Sequence, residues 1–269
     1  MKKEIKLVNK VKRLLKRLEF PKWLHHFGPK TYKFYEHLVA LLARFYCRLS
    51  YRRTAYFLDL FGVRCPSKSA LQYTMQKIKT GLWQRILEET SGGSHYLVAL
   101  DSTGFSRTNP SYHYLKRINS QIPKMYAKLS ATFDVKKRKF CAARIRVLPA
   151  HDIKDAKSLI LKSNPKIVVA DKAYDSNWLH KSCVENNVKA HIPIRQYGNS
   201  IHSMWSIRRL AVNSFDETLY HQRELIEAGF GSVKRKYGGS VNSKKAKTIK
   251  AEIYGRLICH NFLLFLLDF

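Results

Sequence analysis

The chain has 269 residues, of which 50 are Lys or Arg and 19 are Asp or Glu, so its formal net charge is +31. This length suits one large domain, or a small domain followed by a medium one. Residues 1–90 already hold 20 basic and 6 acidic side chains, so the basic excess is not confined to a tail. A basic folded protein attracts polyanions, and nucleic acid is the usual partner. Ribosomal and membrane-surface proteins are the alternatives, but they are usually shorter or carry low-complexity arms.

The cysteines and the chain ends exclude several other classes. None of the five cysteines lies within four residues of another, so a CxxC zinc site is excluded. Scattered cysteines and no signal-peptide pattern indicate reduced thiols, and we expect a cytoplasmic, nucleoid-associated protein without a membrane partner. The apolar run at residues 262–269 is too short to span a bilayer.

Residues 1–90 are predicted to form a small all-α domain. An apolar stripe with lysines and arginines opposite predicts a helix over residues 2–19, which Pro21 ends. Thr31 is the expected N-cap of a second helix that runs to Phe45. The first helix has the composition of a surface helix that either contacts DNA phosphates or simply faces water.

Two short helices are predicted next, near residues 52–60 and 67–79, on either side of a break at Gly62. This outline is that of a helix-turn-helix, although any hairpin of two helices has the same pattern. In the DNA-binding interpretation the second helix presents Lys68, Gln72 and Gln76 to base edges or phosphates.

Residues 95–269 have the alternating pattern of an α/β domain built on a mixed sheet. A hairpin is predicted around the turn at residues 136–138. The predicted strands are 95–101, 128–135, 139–147, 166–171 and 188–194, and the predicted helices are 152–161, 176–186, 217–236 and 246–267.

Two aspartates each follow an apolar strand, Asp101 in HYLVALD and Asp171 in KIVVAD. Sites form at strand ends in open α/β sheets, so the two carboxylates would meet if their strands are neighbours. With Glu227 they would form a set of three oxygen ligands, which repel one another without a cation and select Mg²⁺ or Mn²⁺. The alternative for each aspartate is a turn-capping role.

The stretch YHQRELIEAGFGSVK places Tyr220, Arg223, Glu227 and Lys234 on one face of a predicted helix. A carboxylate beside two cations suits a site that holds a metal ion together with phosphates. A solvated amphipathic helix has the same pattern. Two glycines within this helix, at positions 229 and 231, indicate a close approach of another group or a bend.

Together, VALDST, VVADKAYDS, IPIR and the Y-x2-R-x3-E-x6-K spacing over residues 95–260 resemble the DDE transposases of bacterial and archaeal insertion sequences. The resemblance implies an RNase H-like fold in which Asp101, Asp171 and Glu227 bind Mg²⁺ (or Mn²⁺) and are catalytic. It also implies that Arg223 and Lys234 hold phosphates and that Tyr220 contacts the DNA backbone or orients Glu227. The implied partners are double-stranded DNA, both terminal inverted repeats and target, and a second copy of the chain in a homodimeric synaptic complex.

Residues 196–216, two further aspartates and the overall function each allow more than one interpretation. Residues 196–216 leave little room for the β-rich insertion of some family members, and Trp205 would either stack on a displaced base or fill the core. Asp175 and Asp152 are expected to be N-caps. A transposase-derived protein that only binds DNA and an RNase H-like nuclease without strand transfer are the two alternative functions.

Overall fold

The computed structural model describes residues 3–24, 30–107, 117, 126–148, 150–195, 207, 211 and 213–267, without the side chains of residues 3–6 and 263–267. Its helices are α1 (Lys3–Arg17), α2 (Phe34–Tyr46), α3 (Tyr51–Leu60), α4 (Lys68–Lys77), α5 (Thr80–Ser91), α6 (Ile153–Ser163), α7 (Asn177–Glu185), α8 (Glu217–His221), α9 (Glu224–Tyr237) and α10 (Ala246–Leu267). Its strands are β1 (His95–Arg107), β2 (Tyr126–Asp134), β3 (Lys139–Arg146), β4 (Pro165–Ala170), β5 (Lys189–His191) and β6 (Ser240–Val241).

The N-terminal helices follow the predicted order, with one correction at the start of α2. The predicted cap, Thr31, is wrong, because α2 begins at Phe34. The first turn is instead closed by the Glu36 carboxylate, whose Oε2 accepts a hydrogen bond from the Lys33 backbone N–H at 2.6 Å. A residue three positions into a helix can satisfy a free N–H in this way, so a carboxylate replaces the hydroxyl cap.

Helix α5 is an element that we did not predict, and it ties the N-terminal helices to the sheet. Trp83, Ile86 and Leu87 are buried on its inner face, and the helix packs against α10 and β3. One hydrophobic cluster therefore runs from α1 and α2 through α5 and α10 to the sheet. The boundary at residues 90–95 stays a prediction, since the two parts share this core. Within the described residues, no helix is long and apolar enough to cross a membrane.

The sheet has six strands within the described part of the chain, in the order β3-β2-β1-β4-β5, with β6 paired to the far end of β1. Strands β1, β2 and β3 are antiparallel neighbours, whereas β4 and β6 run parallel to β1 and β5 runs parallel to β4. Helices cover both faces. This mixed sheet confirms the predicted RNase H-like α/β class.

Alternation along the strands divides the core into two layers. Leu97 and Ala99 of β1 belong to the large cluster beneath α5, α9 and α10. Val98 and Leu100 belong to a second cluster, which lies between the sheet and helices α6 and α7. The odd-numbered residues of β1 from Leu97 to Phe105 therefore point toward the α9 side of the sheet.

Strand β1 is longer than predicted, so Asp101 does not end it. Asp101 is the seventh residue of a 13-residue strand, which continues because β2 is long enough to pair with it as far as Ser106. On its other side, β1 loses its partner β4 after Leu100, which pairs with Ala170. Asp101 thus stands where the parallel pairing stops, although its own strand goes on.

The helix predicted over residues 217–236 is two helices. Between α8 and α9 the chain makes a tight turn, in which the Arg223 N–H bonds the Tyr220 carbonyl at 2.9 Å and the Ile226 N–H bonds the Arg223 carbonyl at 3.1 Å. Bonds of this i→i−3 kind wind the chain more tightly than an α-helix does. Tyr220 and Glu227 consequently lie on different helices.

The two glycines of α9 have different surroundings. A Cβ at position 229 would lie 2.9 Å from a ring carbon of Phe133 on β2, whereas a Cβ at position 231 would meet nothing within 4 Å. Gly229 is therefore where α9 approaches the sheet closely. Gly231 has no such packing reason among the described residues.

We predict opposite effects for the two alanine substitutions. Gly229→Ala forces Phe133 to move and should lower the free energy of unfolding by about 1–3 kcal/mol. Gly231→Ala should raise it by up to about 1 kcal/mol, because alanine favours the helix. Urea denaturation of both variants and the wild type measures the difference. Equal effects of the two substitutions would contradict the close packing of α9 on β2.

Candidate active site

Asp101 and Asp171 lie side by side on neighbouring strands. Leu100 of β1 pairs in parallel with Ala170 of β4, and each aspartate is the next residue along its chain. Asp171 keeps an extended backbone, with φ −68° and ψ 158°, so it continues the alternation of β4. Val169 of β4, two residues earlier, packs in the large cluster as Ala99 of β1 does. Both carboxylates thus belong to the α9 side of the sheet.

Arg223 joins Asp101 to Glu227. Its Nη1 donates to Glu227 Oε1 at 2.7 Å and stands 3.7 Å from Asp101 Oδ2. The Arg223 and Asp101 side chains are 19% and 21% exposed, whereas Glu227 is 55% exposed. The guanidinium is therefore held between a carboxylate of the sheet and a carboxylate of α9.

The pKa of Asp101 depends on its burial and on the charged groups around it. Burial raises the pKa of Asp101, and the charges of Glu227 and Asp171 raise it further. The Ser102 N–H, which donates to Oδ1 at 2.7 Å, and the nearby Arg223 act in the opposite direction. Burial alone would lower the pKa of Arg223, but the hydrogen bond and the charge of Glu227 raise it overall. A cation is thus needed to hold these acidic groups together.

The donor set fits a hard divalent cation, since every group is a carboxylate oxygen. Within the described ranges, however, no three His, Cys, Asp or Glu side chains already stand close enough to hold a metal ion. Arg223 lies where it neutralises Asp101 and Glu227. A metal ion at Asp101 and Glu227 would therefore have this guanidinium as a competitor.

Lys234 and Tyr220 come from α9 and α8, respectively, after and before Glu227 in the chain. Lys234 Nζ donates to Thr103 Oγ1 at 2.7 Å and stands 5.6 Å from the centroid of the Phe105 ring. Burial lowers the pKa of Lys234. Tyr220, on α8, packs against Phe215 with ring centroids 5.5 Å apart. Helix α9 therefore runs along β1 in the same direction, with Glu227 near Asp101 and Lys234 near Thr103.

Residues 92–262 match a family model described as the transposase DDE domain. The match covers more than half of the chain. The protein belongs to this transposase family. No curated protein matched the sequence. The family expected from the resemblance is thereby confirmed, whereas the Y-R-E-K signature and the roles of individual residues stay predictions.

Of the two aspartates predicted as N-caps in the transposase domain, Asp175 does not cap a helix, whereas Asp152 holds the N-cap position of α6. Ser176 caps α7, with its Oγ accepting from the Leu179 N–H at 3.2 Å. The Asp175 carboxylate is buried, 3.2 Å from His180 Nε2, and accepts from the Arg195 N–H at 2.8 Å. Asp152 precedes α6 without a side-chain cap bond and pairs with Lys128 instead. Asp175 therefore fixes the loop that follows Asp171.

Sequence reasoning missed the hydroxyl groups beside Asp101. Ser102 points to the opposite face of the sheet, where its Oγ bonds Ser130 Oγ at 3.0 Å and Tyr174 OH at 2.9 Å. The side chain of Thr103 points to the α9 side of the sheet, where its Oγ1 accepts a hydrogen bond from Lys234 Nζ. Strand alternation would have found both, had β1 been extended beyond residue 101.

The predicted DNA-reading residues of α4 form an outward row. Lys68 and Gln72 are exposed and Gln76 is half-buried, while Leu71 and Met75 are buried on the inner face. Helix α4 packs against α2, α3 and α10. Trp205 lies outside the described residues.

We predict that Asp171 and Asp175 differ in their contribution to stability. Asp175→Asn places an amide where two donors point at buried oxygens, so the free energy of unfolding should fall by about 1–3 kcal/mol. Asp171→Asn keeps an acceptor for the Lys172 N–H and reduces the repulsion with Asp101, so its effect should stay within about 0.5 kcal/mol. Urea denaturation measures both, and a larger loss in Asp171→Asn would contradict this division of roles.

Proposed function

We propose that this protein is an insertion-sequence transposase, which cleaves DNA at the element ends and transfers the freed strand into target DNA. The observation that carries the proposal is the register of Leu100 with Ala170, which brings Asp101 and Asp171 together beneath the helix that bears Glu227. Membership of the transposase DDE family and the net charge of +31 support it.

Asp101, Asp171 and Glu227 are the residues that would hold Mg²⁺ or Mn²⁺. When bound, divalent ions in such a site activate an attacking oxygen and stabilise a leaving oxygen of a phosphodiester. The protein's own contribution is position: two carboxylates fixed by strand pairing and one on a helix packed against the same face.

The two cations of α9 would hold phosphates beside the cut. Arg223 is a planar donor fork suited to phosphate oxygens, and Glu227 and Asp101 already orient it. Lys234 is half-buried and partly stripped of water, which strengthens its attraction to an anion. Tyr220 would hydrogen-bond the DNA backbone from α8, since the turn at Arg223 separates it from Glu227.

The outward row of α4 would contact the terminal inverted repeats, as the second helix of a helix-turn-helix does. Two element ends must be cut together, so we infer a homodimer in the synaptic complex. Such a protein would act on DNA in the nucleoid.

Replacing the helix carboxylate tests the catalytic assignment. Glu227→Gln should lower Mg²⁺-dependent nicking of end-containing DNA by at least about 100-fold, since even indirect partners of a metal ligand cost 10–100-fold. Glu224→Gln is the matched control, because Glu224 is an exposed carboxylate one turn earlier on the same helix. It should nick as the wild type does. Full activity of Glu227→Gln would refute the proposal.

The same assay separates the alternative functions. A protein that only binds DNA would give no divalent-dependent cleavage in the wild type. A nuclease without strand transfer would nick the ends but leave a second, target plasmid unjoined. We expect joined products with the wild type and with Glu224→Gln.

Two substitutions in α4 should separate base reading from phosphate contact. Gln72→Ala should reduce the preference for end-containing over unrelated DNA roughly 5- to 100-fold. Lys68→Ala should weaken both equally and reduce the salt slope of binding by about 0.9. Competition binding at several salt concentrations measures both. Unchanged preference in Gln72→Ala would exclude that side chain from base reading.

A further inference from the structure

A small basic pocket lies between the end of α2, the turn from α9 into β6, and α10. Its volume is about 40 Å³. The residues that carry its chemistry are Arg44, Arg48, Tyr237, Glu252 and Arg256. No feature of the proposed cleavage site uses them.

Two buried donors of this pocket have no partner within the described part of the chain. They are Arg44 Nε and the Tyr237 hydroxyl, and Tyr237 is only 2% exposed. A buried polar group without a hydrogen bond destabilises a fold, so such a group points to a missing ligand. Burial raises the pKa of Tyr237, which keeps the phenol protonated as a donor.

The charge of the pocket is also unbalanced, with three guanidiniums against one carboxylate. Glu252 is already engaged, because it accepts from Arg256 at 2.6 Å and from the N–H groups of Asn242 and Ser243. Arg256 is engaged too, since it donates to the carbonyls of Gly238 and Ser240, which hold β6 beside β1. Arg44 and Arg48 are therefore the cations whose charge Glu252 does not offset.

The pKa of Arg256 reflects this imbalance of charge. Burial lowers the pKa of Arg256, and the charges of Arg48 and Arg44 lower it further, although Glu252 acts in the opposite direction. An anion in the pocket would relieve the repulsion among the three guanidiniums.

We propose that this pocket binds one phosphate group of the DNA backbone. The volume admits a single small anion, and guanidinium forks with a phenol donor match phosphate oxygens. The choice of DNA as the source of that phosphate rests on the proposed function. The inference that the pocket binds a phosphate group rests only on its residues and is independent of that function.

The pocket lies in line with the proposed cleavage site. Successive inward residues of β1, which are about 7 Å apart, are Asp101, Thr103 and Phe105. Lys234 Nζ and Arg256 Cζ stand 5.6 and 5.7 Å from the centroid of the Phe105 ring. The basic groups therefore continue from Arg223 past Lys234 to the pocket, and a DNA strand that follows them from the proposed cleavage site would reach it.

Arg48 offers a test that does not endanger folding. It has a left-handed backbone, with φ +55°, which glycine adopts without strain. Arg48→Gly thus removes the guanidinium while suiting the backbone. Arg138→Gly is the matched control, because Arg138 is an exposed arginine at φ +57° in the β2–β3 turn. Both variants lose one positive charge at a left-handed position.

Tyr237→Phe is a second, independent variant. Without any anion it should keep or raise the melting temperature, because it removes a buried hydroxyl that lacks a partner. With phosphate present it should gain less stability than the wild type. A loss of stability without anion would show that the hydroxyl has a partner in the protein, and would overturn the pocket.

The first probe is inorganic phosphate, titrated against melting temperature at constant ionic strength, with chloride as the balancing ion. We expect phosphate to stabilise the wild type and Arg138→Gly alike. Arg48→Gly and Tyr237→Phe should each bind phosphate roughly tenfold more weakly.

The second probe is a DNA duplex, with affinity measured over a range of salt concentrations. Arg48→Gly should reduce the salt slope by about 0.9. Arg138→Gly should leave the salt slope unchanged, because Arg138 lies outside the pocket. If phosphate binding depends on Arg48 and Tyr237 but the DNA slope does not, the pocket takes free phosphate and the DNA assignment is wrong. If neither probe responds while the wild type still nicks DNA, the pocket proposal fails and the proposed function stands.

Discussion

The repulsion among Asp101, Asp171 and Glu227 is the constraint around which this structure is arranged. Strand pairing fixes the first two beside each other, and the packing of α9 on the sheet brings the third opposite. Like charges in a partly buried site need a cation. In the protein alone, Arg223 supplies it for Asp101 and Glu227, through one hydrogen bond and one close contact. The guanidinium thus offsets part of the repulsion between the sheet carboxylate and the helix carboxylate.

This arrangement explains why Arg223 belongs at the turn between α8 and α9. A guanidinium at that point reaches Glu227 one turn further along and Asp101 across the gap to the sheet. In the proposed reaction a divalent ion would take over the carboxylates and leave the guanidinium to a phosphate. The same side chain would then serve the protein without its substrate and the complex with it.

The sequence predicted most of the architecture because its strong patterns are local. The hairpin, the strands that lead to the two aspartates and the long helix ending at Leu267 follow from alternation and periodicity. What it did not predict depends on partners distant in the chain. The length of β1 is set by β2, and the role of Asp175 is set by Arg195, twenty positions away. Helix α5 was missed because its apolar face is completed mainly by α10 and β3, which lie further along the chain.

Helix α10 has a consequence for how the molecule is made. It follows α2, α5 and β3 in the chain, yet it packs against all three and completes the core that they share. Until it emerges from the ribosome, the apolar faces of those earlier elements lack one of their packing partners, and the core beneath the carboxylates is unfinished. The core beneath Asp101 would therefore be complete only after α10 itself has been synthesised.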